Sequence, residues 1–421
     1  METKPKSNIL YGILAGIVIG GMFGWFAPEA ALKIKFLGDL FLKLLFMLVV
    51  PLIFVTMVHG ITQFGDVRKM GRPATVVLIY YFTTTFISVG IGILLVTLIH
   101  PGSAGTDISG ALSERVQAAA ARDMTAIEFM EEMLQNIVPK NIFKSMADMQ
   151  VLPLIFFSLF FGAVLTTTGK KAKKLIDIFD VLNETIIKMV QVVMKIAPVG
   201  IGCIVAGKLG SVGGGEAFVT ELAKLAKYAT TVILGLLVHA VIVLPLILYF
   251  FSRRNPLKYA AAMMTPLTTA FSTASSAATL PITINSVKKQ GISDKTSGFV
   301  LPLGATINMD GTAMYEAVAV IFIAQCYGVD LTGMQLVTIF FTATLAGVGA
   351  AAIPEAGLVT MVIVLTAVGL PIEGISLILV IDWFLDRCRT TVNVWGDTCG
   401  AAVVEKFLNL EKKESSKKKK K

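Results

Sequence analysis

One stretch near the end of the chain decides the fold: Ile381-Asp-Trp-Phe-Leu-Asp-Arg-Cys-Arg-Thr-Thr-Val-Asn-Val-Trp-Gly-Asp397. Five polar residues follow Asp382 at offsets of 4, 7, 8, 11 and 15, namely Asp386, Arg389, Thr390, Asn393 and Asp397. At about 100° per residue these six side chains fall within roughly 100° of one another, so a helix presents them as one polar stripe.

The stripe has two interpretations. In a soluble protein it is the water-facing side of an amphipathic helix. In a membrane protein, each charge at the centre of a span costs roughly 2.5–3.5 kcal/mol to insert, so such charges pair, face a water-filled cavity or bind a ligand. The remaining surface of this stretch is largely apolar, as is the run that precedes it. The sequence therefore predicts a binding site within a membrane.

Composition supports the membrane interpretation. The chain has 421 residues, of which 55% are apolar and only 15% charged, and its mean hydropathy is +0.77. Apolar runs of about 20 residues recur, which favours helices over the short alternating segments of a β-barrel. No nucleophile elbow, P-loop or HExxH motif occurs, so the sequence does not predict an enzyme. We interpret His59, His100 and His239 as packed or interfacial residues and not as ligands.

Eight membrane-spanning helices are predicted. The first seven run from about Ile9 to Phe26, Phe36 to Ile61, Ala74 to Ile99, Val151 to Leu165, Ile176 to Ala206, Ala226 to Phe251 and Gly298 to Cys326, and the eighth carries the stripe. Basic clusters mark the cytoplasmic ends of membrane spans. They lie before the first span and after the second, fourth and sixth, so both termini are predicted to be cytoplasmic.

Two segments fit no simple crossing. The segment from Ala260 to Val287 has basic residues at both ends and a small, hydroxyl-rich middle. It is either a pair of tightly packed helices or, as we favour, a re-entrant hairpin lining a protein cavity. A second stretch interrupted by Gly and Pro, Thr344 to Gly357, lies inside the segment from Gln335 to Leu370. It predicts a second hairpin, which enters the membrane from the external face.

The seventh span is interrupted by Asn308-Met-Asp-Gly-Thr312. Gly311 and the polar residues predict unwinding, which frees carbonyl groups for a cation beside the Asp310 carboxylate. The alternative is a kinked helix with a single paired aspartate. Two broken segments of opposite orientation, each followed by a helix with buried carboxylates, are typical of a secondary transporter built from inverted repeats.

These motifs resemble one family, the sodium-coupled glutamate/aspartate and neutral amino acid transporters (dicarboxylate/amino acid:cation symporters), over essentially the whole chain. The most specific stretches are Ser275 to Pro281, Asn308 to Thr312, Gly349 to Gly357 and Asp386 to Asn393. The resemblance implies a homotrimer that works as an elevator. Scaffold helices would occupy residues 1–73 and 100–215 (with the external connector), the transport domain residues 74–99 and 216–410, and a basic cytoplasmic tail residues 411–421.

The resemblance also implies the ligand contacts. Asp386 would hold the substrate amino group, and Arg389 a side-chain carboxylate, which suits its bidentate geometry. The other substrate contacts would be Ser275, Ser276, Thr312, Ile353, Gly357, Thr390 and Asn393.

The resemblance also implies three sodium sites, with the all-oxygen ligands that hard cations prefer. The first would use Asp397 with the carbonyls of Gly304, Asn308 and Asn393. The second would use Asp310, Asn308, Tyr81, Thr84 and Thr85. The third would use Thr306, Met309 and the carbonyls of Gly347, Val348 and Ala350.

Other positions are similar to the animal branch of this family. Arg387 would support Arg389, Ala274 stands where archaeal members place an arginine, and Glu316 matches a glutamate associated with proton coupling. The alternative for Glu316 is a hydrogen-bonded acid shielded from lipid. Ala277 departs from a usual serine and puts one polar contact in doubt.

We therefore expect an all-α integral membrane protein of the plasma (inner) membrane that symports sodium with L-aspartate or L-glutamate, possesses no organic cofactor and binds no nucleic acid. Arg389 favours acidic substrates, because neutral amino acid relatives lack an arginine there. A neutral amino acid exchanger is the first alternative and a C4-dicarboxylate carrier the second. A membrane enzyme or an ion channel would not need Asp386 beside Arg389.

Overall fold

The computed structural model describes residues 7–62, 71–102, 138–148, 150–212, 215–349 and 356–418. Within these ranges all regular structure is helical, and no β-strand occurs. The predicted basic clusters at Lys4 and Lys6 and at 66–70, most of the external connector, and residues 350–355 lie outside the described part.

The first group of helices comes from the N-terminal half of the chain. It consists of α1 (Ser7–Phe26), α2 (Pro28–Thr62), α5 (Val151–Thr167), α6 (Lys173–Met194) and α7 (Ala197–Val212), with the short α4 (Ile142–Ala147) before α5. Helices α1 and α2 both pack along α7, and α2 also packs on α5 and α6. Large apolar side chains of these helices remain exposed, for example Phe26 and Phe160, as expected of surfaces that meet lipid.

The fifth predicted span is wrong in one respect, because the structure divides it. Helices α6 and α7 meet at an angle of 52°. Pro198 lies in the first turn of α7, where its missing N–H costs nothing, and a proline there cannot continue the preceding helix.

The second group contains α3 (Gly71–Ile99) and the C-terminal half of the chain. The long α8 runs from Gly215–Val238 through a π-helical turn, His239–Val243, then Leu244–Ile247 and a second π-helical turn, Leu248–Ser252. Pro245 lies between the two π turns and provides no N–H for the helical ladder, which accounts for the local widening. Arg253, with φ of 59°, ends the helix.

A helical hairpin follows, as predicted. After α9 (Pro256–Ala262), helix α10 (Met264–Thr273) ends at Ala274 in the left-handed conformation, and α11 (Ser276–Lys289) begins directly after Ser275. The Ser275 hydroxyl caps α11 by accepting from the Ala278 N–H at 3.2 Å. The two arms pack against each other, so this segment is a hairpin and not a single straight helix.

The seventh predicted span is broken where the motif predicts, but over a shorter distance. Helix α12 (Asp294–Ile307) and helix α13 (Asp310–Cys326) are separated only by Asn308 and Met309. Asp310 opens α13, because an acidic residue is favourable in the first turn of a helix. Gly311 and Thr312 therefore belong to the helix and not to the unwound part.

The last elements are α14 (Gly333–Gly349), α15 (Ala356–Ala367), a 3₁₀ turn (Ile372–Leu377) and α16 (Leu379–Lys418). Helices α14 and α15 pack together, as predicted for a second hairpin whose tip lies outside the described residues. Helix α16 carries the whole polar stripe, and all six stripe residues are buried. Burial excludes the interpretation as a water-facing amphipathic surface.

Length and composition identify four helices of the described part that could span a membrane: Pro28–Thr62, Thr75–Ile99, Leu222–Ser252 and Asp294–Cys326. The bent pair α6 and α7 would make a fifth, and shorter apolar helices occur at Tyr11–Phe26, Pro153–Thr167 and Gly333–Gly347. Several apolar helices thus agree with the predicted fold class. The count of eight spans and two re-entrant hairpins stays a prediction.

Candidate substrate and cation site

Arg389 is the centre of the polar stripe. It is fully buried, its Nη1 atom lies 3.1 Å from Oδ1 of Asp382, and its Nη2 atom donates to Oδ1 of Asp386 at 2.8 Å. The guanidinium also lies over the ring of Tyr315, 3.7 Å from the ring centroid. A buried cation flanked by two carboxylates and an aromatic face is held in one orientation, as recognition of a second charged group requires.

Gly357, at the start of α15, lies directly against this guanidinium. A Cβ atom built on Gly357 would stand 2.8 Å from Nη1 of Arg389. The absence of a side chain therefore lets the backbone of the second hairpin cover the arginine.

Asn393 joins α16 to the broken helix. Its Oδ1 accepts from the Gly311 N–H at 2.7 Å, and its Nδ2 donates to the Thr312 hydroxyl at 3.1 Å. The same Nδ2 lies 3.1 Å from the Met309 sulfur. These contacts bring predicted substrate residues of α13 and α16 together.

The first hairpin packs on α16 through both arms. Ser275, Ser276 and Thr390 are all buried, with Ser275 used as the helix cap. Of the predicted substrate contacts, only Ile353 lies outside the described residues.

Asp310 is the centre of one predicted sodium set. Its Oδ1 accepts from Thr85 at 2.6 Å and from Thr84 at 3.2 Å, and Ser88 donates to the Asp310 carbonyl at 2.9 Å. Thr84 also lies 3.5 Å from Oδ1 of Asn308. Four predicted ligands therefore meet, and they offer hydroxyl, amide and carboxylate oxygens of the kind that an alkali cation takes.

The side chain of Tyr81 stands apart from the cation set in which the resemblance placed this residue. Its hydroxyl donates to the Val300 carbonyl at 2.8 Å, and a Cβ atom on Gly304 would lie 2.6 Å from it. Only its carbonyl is directed to the Asp310 set, where it accepts from Thr84 at 3.1 Å.

Asp397 is the centre of another predicted set. Its Oδ1 accepts from Nδ2 of Asn308 at 2.9 Å, and a Cβ atom on Gly304 would lie 2.3 Å from the same oxygen. Gly304, Asn308 and Asp397 are thus brought together. The side chain of Asn393, one turn before Asp397, is directed to Gly311 instead, so its carbonyl is the group left for this set.

The third predicted set is described only in part. Gly347 lies against α13, where a Cβ atom would be 3.5 Å from the Met309 carbonyl. The Thr306 hydroxyl donates within its own helix, to Leu303 at 3.0 Å. Ala350 and the side chain of Val348 lie outside the described residues.

His239 is a site residue that the sequence interpretation missed. It is fully buried, and its Nε2 lies 3.0 Å from Oδ2 of Asp310, the oxygen opposite the threonines. A lone histidine in an apolar span, at the edge of a proline-containing segment, was the available signal. The sequence interpretation also assigned no ligand contact to Asp382 or Tyr315, although Asp382 precedes Arg389 by two helical turns on the same face.

The known proteins that this chain resembles are transporters. A profile of the sodium:dicarboxylate symporter family matches residues 9–407. The chain belongs to this family. It is 37% identical to excitatory amino acid transporter 2 of Homo sapiens, over 94% of the chain and 77% of that protein. It is 38% identical to excitatory amino acid transporter 1 of Ambystoma tigrinum, over 97% and 84% of the two chains.

Family membership makes this protein a multi-pass membrane symporter and not an enzyme. Excitatory amino acid transporter 3 of Mus musculus is similar at 37% identity, over 96% of the chain and 84% of that relative. Membership in a sodium:dicarboxylate symporter family implies that sodium is co-transported.

Two further predicted residues of the symporter have contacts of their own. Arg387 donates through Nη1 to the carbonyls of Phe271 and Ser272, at 2.8 and 2.7 Å, in the last turn of α10. It therefore supports the first hairpin and not Arg389 directly, and a cation is favourable at that helix end. Glu316 is fully buried on α13 and bonds to the Thr360 hydroxyl.

Proposed function

We propose that this protein is a sodium-driven symporter of acidic amino acids, L-aspartate or L-glutamate. The observation that carries the proposal is the contact of Asp386 with Arg389, 2.8 Å apart and both buried. An amino acid with a side-chain carboxylate could exchange this internal pair for two new ones, its ammonium group on Asp386 and its carboxylate on Arg389.

The same pair disfavours other ligands. A neutral amino acid would leave Arg389 without a new carboxylate, and a dicarboxylate without an amino group would be repelled by Asp386. The excitatory amino acid transporters named above support an acidic substrate by similarity.

We further propose that Asp310 and Asp397 each provide the carboxylate ligand of one sodium site. Each carboxylate lies among neutral oxygen donors at the break between α12 and α13, with hydroxyl groups around Asp310 and Asn308 beside Asp397. Because Asn308 contacts both sets, sodium at one site would help to order the other. Glu316, buried on α13, is proposed to carry a co-transported proton.

The architecture proposed for this activity is a homotrimer with cytoplasmic termini, re-entrant hairpins, inverted repeats and elevator movement. The homotrimer, the cytoplasmic termini and the elevator movement rest on the resemblance to the family, and the packing of the described helices supports two domains. Helices α1, α2 and α5 to α7 would form the scaffold, while α3 and α8 to α16 would move as the transport domain.

The test is uptake of labelled L-aspartate into proteoliposomes that hold the purified protein under an inward sodium gradient, for wild type and Arg389→Cys. We expect sodium-dependent accumulation that the variant loses, while uptake of serine or alanine appears. Because the variant leaves Asp382 and Asp386 without their buried cation, which typically costs about 3–5 kcal/mol, its folding must be checked by thermal stability. A wild type that exchanges neutral amino acids and ignores aspartate would refute the proposal.

A further inference from the structure

The contact between Glu316 and Thr360 joins two helices that the sequence does not relate. Glu316 lies in the middle of α13, and Thr360 lies on α15, the second arm of the second hairpin. The Thr360 hydroxyl donates to Oε1 of Glu316, and the side chains of Thr360 and Glu316 are 2% and 0% exposed. Among the described residues, the other carboxyl oxygen, Oε2, has no hydrogen-bond partner.

The same face of α15 also reaches Arg389. Gly357 precedes Thr360 by three residues, so the two positions are neighbours on one side of the helix. Gly357 lies against the guanidinium of Arg389, since a Cβ atom added to this glycine would stand only 2.8 Å from Nη1. One turn of α15 therefore rests on both the substrate-selecting arginine and the buried glutamate.

The elements packed against α13 carry a limited set of ionisable groups. The buried ones are Asp382, Asp386, Arg389, Asp397 and Glu405 of α16, His239, Lys224 and Tyr228 of α8, and Tyr80 and Tyr81 of α3, while the 3₁₀ turn contributes the exposed Glu373. Residues 75–99 of α3 and the described parts of α14 and α15 contain no acidic or basic residue. Thr360 is thus the group of α15 that can respond to the charge of Glu316.

A threonine hydroxyl suits both protonation states of a carboxyl group. It donates to an ionised carboxylate and can accept from the O–H of a neutral acid. An isosteric valine can do neither. We propose that Thr360 is a positioning residue that couples proton binding at Glu316 to the packing of α15 over Arg389. This inference rests on the proposed symport of a proton with an acidic amino acid.

The test compares Thr360→Val with wild type in proteoliposomes, measuring sodium-driven L-aspartate uptake across a series of pH values and proton entry with an internal pH dye. Thr360→Val removes the hydrogen bond that the Thr360 hydroxyl donates to the ionised Glu316 carboxylate, so it favours the proton-bound form of Glu316. We expect the alkaline limb of the pH profile to move to higher pH by about half to one unit. We also expect net uptake to fall by about three- to tenfold, because a glutamate that holds its proton more tightly releases it more slowly.

Thr366→Val is the matched control, because the Thr366 hydroxyl bonds to the Val362 and Ile363 carbonyls of its own helix. Thr360→Ser should restore the wild-type profile. In a Glu316→Gln background, Thr360→Val should cause no further change in pH dependence. If Thr360→Val does not fold, Thr360→Ala takes its place with the same expectation.

The outcomes separate the inference from the proposed function. If wild type accumulates aspartate with sodium and Thr360→Val keeps its pH profile, the inference is wrong and the proposed function stands. If Thr360→Val alters the profile equally in the Glu316→Gln background, the hydroxyl acts elsewhere and the inference is again wrong. If wild type does not transport aspartate at all, the proposed function fails, and the inference with it.

Discussion

Nε2 of His239 lies 3.0 Å from Oδ2 of Asp310, and neither side chain is exposed. The pair links α8, at the first residue of its π-helical turn, to the first residue of α13. Because Thr84 and Thr85 donate to the other oxygen, Oδ1, the carboxylate of Asp310 is held from both sides. Such an outer partner orients a cation ligand without binding the cation itself.

Replacement of His239 by alanine should weaken sodium binding. The substitution leaves Oδ2 of Asp310 without this partner, and loss of an outer partner typically costs about 10- to 100-fold in metal affinity, so we expect half-saturation by sodium to rise by about tenfold or more. The measurement is the sodium dependence of aspartate uptake in proteoliposomes. His239→Gln, which keeps an N–H donor, should recover part of the affinity, and the exposed His100→Ala is the control. An unchanged sodium curve for His239→Ala would show that the pair is not needed.

Replacement of Thr85 by valine should also raise the sodium requirement. The change keeps the shape of the side chain but removes the 2.6 Å hydrogen bond to Asp310. A bond to a charged group is worth about 1.5–3 kcal/mol, so half-saturation by sodium should rise by roughly 10- to 100-fold. Thr97→Val on the exposed side of the same helix is the matched control. Equal sodium curves for the two variants would place the cation elsewhere.

Substitution of Asp386 by asparagine should abolish recognition of the amino group. Arg389 keeps its contact with Asp382, so the variant retains a buried partner for the arginine and should fold. We expect the uptake efficiency for L-aspartate to fall by about 10- to 100-fold. Uptake of aspartate and of succinate is measured side by side. Unchanged aspartate uptake by the variant would contradict the role of Asp386, and a gain of succinate uptake would support it.

Substitution of Gly357 by alanine should displace Arg389 without adding or removing a charged group. The new methyl group would lie 2.8 Å from Nη1, so either the guanidinium or the start of α15 must move. We expect KM for aspartate to rise by about tenfold, as overpacking costs typically about 1–3 kcal/mol. Gly298→Ala, where an added Cβ meets no atom within 4 Å, is the control. Equal KM values in both variants would show that the contact of α15 with Arg389 does not affect substrate binding.

The break in the seventh predicted span shows how far local sequence can be trusted. Polar residues and Gly311 in an apolar run predict an interruption, and the structure has one at Asn308 and Met309. The interruption is shorter than predicted. Asp310 is favourable at the start of a helix, so Gly311 and Thr312 belong to α13. Likewise, Pro198 lies in the first turn of α7, yet the 52° bend between α6 and α7 was not predicted.

Local sequence was enough to predict the membrane class, the polar stripe of α16 and the first hairpin, because these depend on neighbours within a few residues and on the cost of charge in lipid. The family followed from motifs of the same short range, and the same motifs predict the candidate site residues. Tertiary structure alone decided the partners: His239 for Asp310, Thr360 for Glu316, and Phe271 with Ser272 for Arg387. Periodicity tells which face of a helix is polar. Which distant side chain meets that face depends on how the helices pack, and no local pattern encodes it.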